Sequence, residues 1–103
     1  MDIESMSQFV VIGWDGPDGP ARRKKNRDKH VAHIEALDRE GRIVLAGPIR
    51  DDADNKSIGA VIVLTAANLD EARNLVSQDP YVTGQVFETI TVNAFNRVFP
   101  KKP

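Results

Sequence analysis

Three short apolar runs set the frame of the chain. Gln8-Phe9-Val10-Val11-Ile12-Gly13-Trp14 is β-branched and aromatic, and the turn-rich Asp15-Gly16-Pro17-Asp18-Gly19-Pro20 closes it. This predicts a strand followed by a loop. From about Ala21 to Glu40 there is neither Gly nor Pro, and Gly41 supplies a stop. One long helix is expected there, with Pro20 at or near its first turn. Arg42-Ile43-Val44-Leu45-Ala46 reads as a second strand ended by Gly47-Pro48, and Arg50 to Ser57 as an exposed connection rich in Asp. Ile58-Gly59-Ala60-Val61-Ile62-Val63-Leu64 is a third strand. Asn68 or Thr65 can cap a second helix, roughly Leu69 to Gln78, with Asp70 and Glu71 favourably placed in its first turn. Asp79-Pro80-Tyr81 ends that helix, Gln85 to Val92 forms a fourth strand, and a short tail follows Ala94.

The order β-α-β-β-α-β suggests an α+β, ferredoxin-like sandwich: a four-stranded antiparallel sheet with two helices on one face. If the other face met water, its strands would alternate apolar and polar residues. Instead Val10-Val11-Ile12, Ile43-Val44-Leu45 and Val61-Ile62-Val63-Leu64 are apolar on both faces. The expected cover is a second copy of the sheet, giving a homodimer through sheet faces. The alternative is a tail or long loop folded beneath the sheet, for which the tail is short.

Composition narrows the function classes. The 103 residues suffice for one domain, with a core from about residue 7 to 94 and a tail over 95–103. A net charge of −1 lacks the basic excess of a dedicated nucleic-acid binder. The absence of cysteine excludes disulfides, thiol nucleophiles and thiolate zinc sites. Met1-Asp2-Ile3-Glu4-Ser5-Met6 does not read as a signal peptide, and no apolar run is long enough for a bilayer, so a cytoplasmic protein without membrane or nucleic-acid partners is expected.

Candidate chemistry gathers on the first helix, which carries both histidines. Arg23, Arg27, His30, His33, Ile34 and Leu37 follow a three-and-four spacing along one stripe. Its C-terminal end is apolar and its N-terminal end is His and Arg, which suggests a pocket under the first half of the helix. The plainer reading is a pair of partly exposed helix residues. Antiparallel helices would bring Asp79 beside His30, Arg27 or Arg23. A carboxylate that orients an imidazole fixes its tautomer and makes an acid–base pair; an Asp79–Arg27 ion pair is the structural alternative. The run Arg22-Arg23-Lys24-Lys25-Asn26-Arg27 lacks interleaved aromatics and reads as a solvated helical turn. Two histidines and a carboxylate would suit a metal, but no second motif supports one, so none is expected. Asp51-Asp52-Ala53-Asp54-Asn55 lacks the Gly and closing Glu of a calcium loop. There is no Gly-rich phosphate loop or nucleophile elbow, and Ser5, Ser7, Ser57 and Ser77 have no activating context.

Arg27-Asp28-Lys29-His30-Val31-Ala32-His33-Ile34, Gly41-Arg42-Ile43-Val44-Leu45-Ala46-Gly47-Pro48 and Asp79-Pro80-Tyr81-Val82 resemble the YciI-like (YCII-related) proteins. Gly13-Trp14-Asp15 and Phe95-Asn96-Arg97-Val98-Phe99 extend the resemblance over nearly the whole chain. It implies a dimeric α+β barrel with His30 and Asp79 as paired active-site residues, and Arg27 and Tyr81 nearby. His33, a further candidate substrate contact, falls where members vary more, and Arg27-Asp28 stands where many have Arg-Pro. Related barrels include muconolactone isomerases, cofactor-free monooxygenases and a dehydrochlorinase of a chlorinated hydroxyquinol, so the resemblance implies a small aromatic or hydroxylated substrate. Two functions are consistent with it. In one, the chain is an enzyme without metal or organic cofactor: His30 is the general acid or base, Asp79 orients it, and Arg27, Tyr81 and His33 hold substrate. In the other, it is a small-molecule binding or accessory module using the same pocket without chemistry.

Overall fold

The computed structural model describes residues 6–101, so the readings for Met1 to Ser5 lie outside the described residues. The elements are β1 (Ser7–Asp15), α1 (Gly19–Arg39), β2 (Ile43–Arg50), β3 (Ser57–Ala66), α2 (Leu69–Ser77), α3 (Pro80–Thr83) and β4 (Phe87–Phe95). Their strands form one antiparallel sheet in the order β2-β3-β1-β4, the expected ferredoxin-like arrangement. None of the described helices is long and apolar enough to cross a membrane.

Register decides what each strand offers to each side. Phe9 pairs with Leu64 and Val11 with Ile62, and these side chains enter the core with Ala66, Ala72 and Val76. The alternate residues point the other way: Val10 pairs with Val63 and Ile12 with Val61. Trp14, Leu45 and Phe95 share that second face by register, and each is about half exposed. Strands β1 and β3 therefore carry apolar residues on both sides, as their sequences suggested, while β4 offers Thr89, Thr91 and Asn93 to the second face.

Several boundaries differ from the sequence reading. Strand β2 runs on through Gly47-Pro48 to Arg50. It can do so because it is an edge strand, where proline's missing N–H need not interrupt a sheet. Strand β4 starts at Phe87 rather than Gln85, whose φ of 59° is left-handed, and continues to Phe95. Asn68 rather than Thr65 caps α2, its side chain accepting a hydrogen bond from the Glu71 N–H at 2.9 Å. Glu71 in turn accepts from Arg42 and from the Ala67 N–H. These contacts, Arg42 foremost, hold its carboxyl below the usual carboxylate range.

The segment Asp79-Pro80-Tyr81 does more than stop a helix. Helix α2 ends at Ser77, and Asp79 becomes the N-cap of the single turn α3, with Pro80 at its start. Proline's locked φ and missing donor suit a first helical position as well as they end the preceding helix.

Candidate functional site

Asp79 is almost fully buried, at 2% exposure. A buried carboxylate is costly unless hydrogen-bonded. Its Oδ1 accepts from the Tyr81 N–H at 2.9 Å and lies 2.7 Å from His30 Nδ1. As the N-cap of α3, Asp79 meets free N–H groups rather than the carbonyl end of α2. Of the partners considered for it, His30 is the one the fold supplies.

A carboxylate oxygen can only accept, so Nδ1 of His30 carries the proton on this contact. In the neutral ring, Nε2 keeps its lone pair. The imidazole also stacks on the buried Tyr81 ring, with centroids 3.7 Å apart and planes 2° from parallel. Because Asp79 and Tyr81 are two residues apart, one short turn grips the imidazole at its edge and on its face.

Arg23 pairs with Asp15, and not with Asp79 as the helix stripe allowed. Its Nε donates to Asp15 Oδ2 at 2.7 Å, and Nη2 donates to Oδ1 at 2.8 Å and to the Gly59 carbonyl at 2.9 Å. The Asp15 hydrogen bond, opposed by burial, raises the Arg23 guanidinium above its ordinary value. This arrangement escaped the sequence reading, which held Arg23 on the stripe and did not pair it with Asp15.

Between α1 and the strands β2 and β3 lies a cleft of about 260 Å³. Arg23, Arg27, His30 and Tyr81 line it, together with apolar Val31, Ile34 and Ile62. The strand side offers Ala46, Gly47, Pro48 and Ala60, whose small side chains leave the space open. An apolar cavity of about 150 Å³ can hold benzene, so this cleft admits one substituted ring.

The fold therefore brings four of the candidate residues together: His30 and Asp79 in contact, Tyr81 stacked on the imidazole, and the exposed Arg27 on the cleft lining. His33 is not among the lining residues; its Nε2 lies 3.2 Å from the Leu75 carbonyl in the last turn of α2. That carbonyl, at the end of α2, also accepts from the Gln78 N–H. Among the described residues, no three His, Asp or Glu side chains converge as metal ligands would.

Comparison with known proteins gives the family and the fold. A family model described as the YCII-related domain matches residues 7–96. An uncharacterized protein of Haemophilus influenzae is 30% identical over 96 residues, covering 88% of this chain and 98% of its own. Protein YciI of Escherichia coli is 29% identical over the same shares. Among solved structures, 5-chloro-2-hydroxyhydroquinone dehydrochlorinase from Burkholderia phenoliruptrix, in complex with 2,5-dihydroxybenzoquinone, superposes with a TM-score of 0.78. Its sequence identity is 22%, over 86% of this chain and 93% of that one.

Proposed function

The chain belongs to the YCII-related domain family, and from that premise we propose that it is an enzyme acting on a small aromatic or hydroxylated substrate by His/Asp acid–base chemistry, without a metal or organic cofactor. The observation that carries this reading is the 2.7 Å contact between His30 Nδ1 and buried Asp79, made on the lining of a cleft sized for one ring. With its proton held toward Asp79, His30 has Nε2 available to take a proton from a phenolic or activated carbon position. The resulting imidazolium is stabilised by the adjacent carboxylate, and the same ring returns the proton to a leaving or departing atom. The dehydrochlorinase that shares the fold acts on a chlorinated, hydroxylated ring, which supports the substrate class.

Arg27 is the cation we assign to the anionic or oxygen-rich side of the substrate. Arg27→Ala is expected to raise KM about tenfold and leave kcat nearly unchanged, the signature of a contact made equally in ground and transition states. Steady-state kinetics on a turned-over substrate check this.

A panel of hydroxylated and chlorinated aromatics, followed by absorbance for turnover and by calorimetry for binding, tests the reading itself. Turnover by the wild-type chain that is lost in His30→Ala supports an enzyme. Binding across the panel with no turnover by either would make it a receptor.

We infer as well that a second copy covers the open face of the sheet. The partly exposed Val10, Ile12 and Val61, with Trp14 and Leu45, would otherwise present apolar surface to water. Light scattering is expected to give twice the chain mass, and Val61→Glu, which places a charge at the centre of that face, to give the mass of one chain.

A further inference from the structure

An ion pair buried beside a cleft is weak evidence for stability, because desolvation offsets its attraction. The pair formed by Arg23 and Asp15 is of this kind: their side chains are 13% and 7% exposed. It is also unusually well held. The fork of Arg23 spends Nε and Nη2 on the carboxylate of β1 and a second Nη2 bond on the Gly59 carbonyl of β3, so one plane is defined by two strands. With its charge answered by Asp15, Arg23 is poorly suited to hold an anionic substrate, although it lines the cleft.

What the fixed plane does face is aromatic. The guanidinium carbon lies 5.2 Å from the Tyr81 ring centroid and 5.8 Å from that of Phe87. Phe87 meets Tyr81 edge to face, at 6.2 Å and 82°. Space for Phe87 is provided by Gly13, where a Cβ would stand 2.8 Å from the phenyl ring. Tyr81 thus has Phe87 at one contact, the guanidinium at another, and the His30 imidazole stacked on it.

We propose that Arg23, anchored by Asp15, is a positioning residue for the acid–base pair: it holds the Tyr81 ring, and through that ring the plane of the His30 imidazole. The proposal rests on the reading of His30 and Asp79 as the reacting pair. The Asp79 contact fixes only the Nδ1 edge of the imidazole, which leaves rotation about that contact to be restrained by the ring beneath it. Lysine cannot replace Arg23 in this role, since a single ammonium does not reproduce a planar fork bonded to both strands.

The two histidines give the test its own reference. Stacking on Tyr81 displaces the carbon-bound ring protons of His30 upfield in the proton NMR spectrum of the intact chain, whereas His33 packs on α2 away from Arg23. In Arg23→Met and in Arg23→Lys, the His30 displacement is expected to shrink while the His33 signals stay in place. With a substrate in hand, kcat falls about tenfold to a hundredfold at unchanged KM, as a small misplacement of a reacting group produces. Unmoved His30 signals in either folded variant overturn the proposal, as do His30 and His33 signals that move together, which report general loosening. Should both Arg23 variants fail to fold, Asp15→Asn keeps the size of the anchor and removes its charge; His30 signals identical to wild type in it likewise overturn the proposal. The readout separates the two claims: a selective His30 shift in a chain that turns over no aromatic sinks the proposed function and leaves the positioning role standing.

Discussion

His30→Ala is expected to lower turnover on an aromatic substrate by about 10² to 10⁴, the range a positioned acid–base group supplies. The fold should survive. The His30 side chain is on the cleft lining and 18% exposed, and it is not part of the core built by Phe9, Val11, Ile62 and Leu64. The variant does leave Asp79 buried with only the Tyr81 N–H as a partner, which costs roughly 1–3 kcal/mol for a group whose partner is removed. His30→Asn separates the two effects. It can still donate to Asp79 and recovers part of that stability, yet it offers no base and remains as inactive as the alanine variant. Thermal melts and kcat, measured on the same preparations, check the pair. Full turnover in either variant would remove His30 from the chemistry.

Asp79 is expected to respond differently to two substitutions because it does two jobs with one oxygen. Asp79→Asn keeps an N-cap as good as aspartate and an acceptor for His30 Nδ1, but removes the charge that would stabilise an imidazolium. Turnover should drop on the order of 10²-fold, the low end for acid–base assistance, with melting little changed. Asp79→Ala loses the charge and the cap together. It should be equally impaired in turnover and, in addition, less stable than Asp79→Asn by about 1 kcal/mol, the usual cost of an absent cap. Equal turnover in wild type and Asp79→Asn would reduce Asp79 to a structural cap.

The strands and α2 were legible because their signals are local: β-branched runs closed by Gly and Pro, and Asn68 placed ahead of Glu71. The apolar residues on both sides of β1 and β3 were visible for the same reason. His30 emerged from helical spacing, and Asp79 from the antiparallel course of two helices. Helix α3 was hidden because Asp79-Pro80 reads equally as an end and as a beginning. Rotation explains His33. At about 100° per residue, Arg23, Arg27, Val31 and Ile34 fall on one side of the His30 direction, whereas His33 falls about 60° to the other and meets α2. A stripe of threes and fours is wide enough to contain both outcomes. The partnership of Arg23 with Asp15 and Gly59 was out of reach, since it depends on Trp14 pairing with Gly59 across two strands.

Ala46 and Pro48, paired with Ile62 and Ala60, form part of the strand-side wall of the cleft on the outermost strand of the sheet. The proposed proton-transfer pair is housed elsewhere, His30 on α1 and Asp79 at the cap of α3. Under the proposed function, girth selection and bond chemistry would therefore fall to separate parts of the chain. Changes along this rim would then retune which ring is admitted while the interior keeps its packing and the imidazole its partner, so that one scaffold would serve several substrates without being rebuilt.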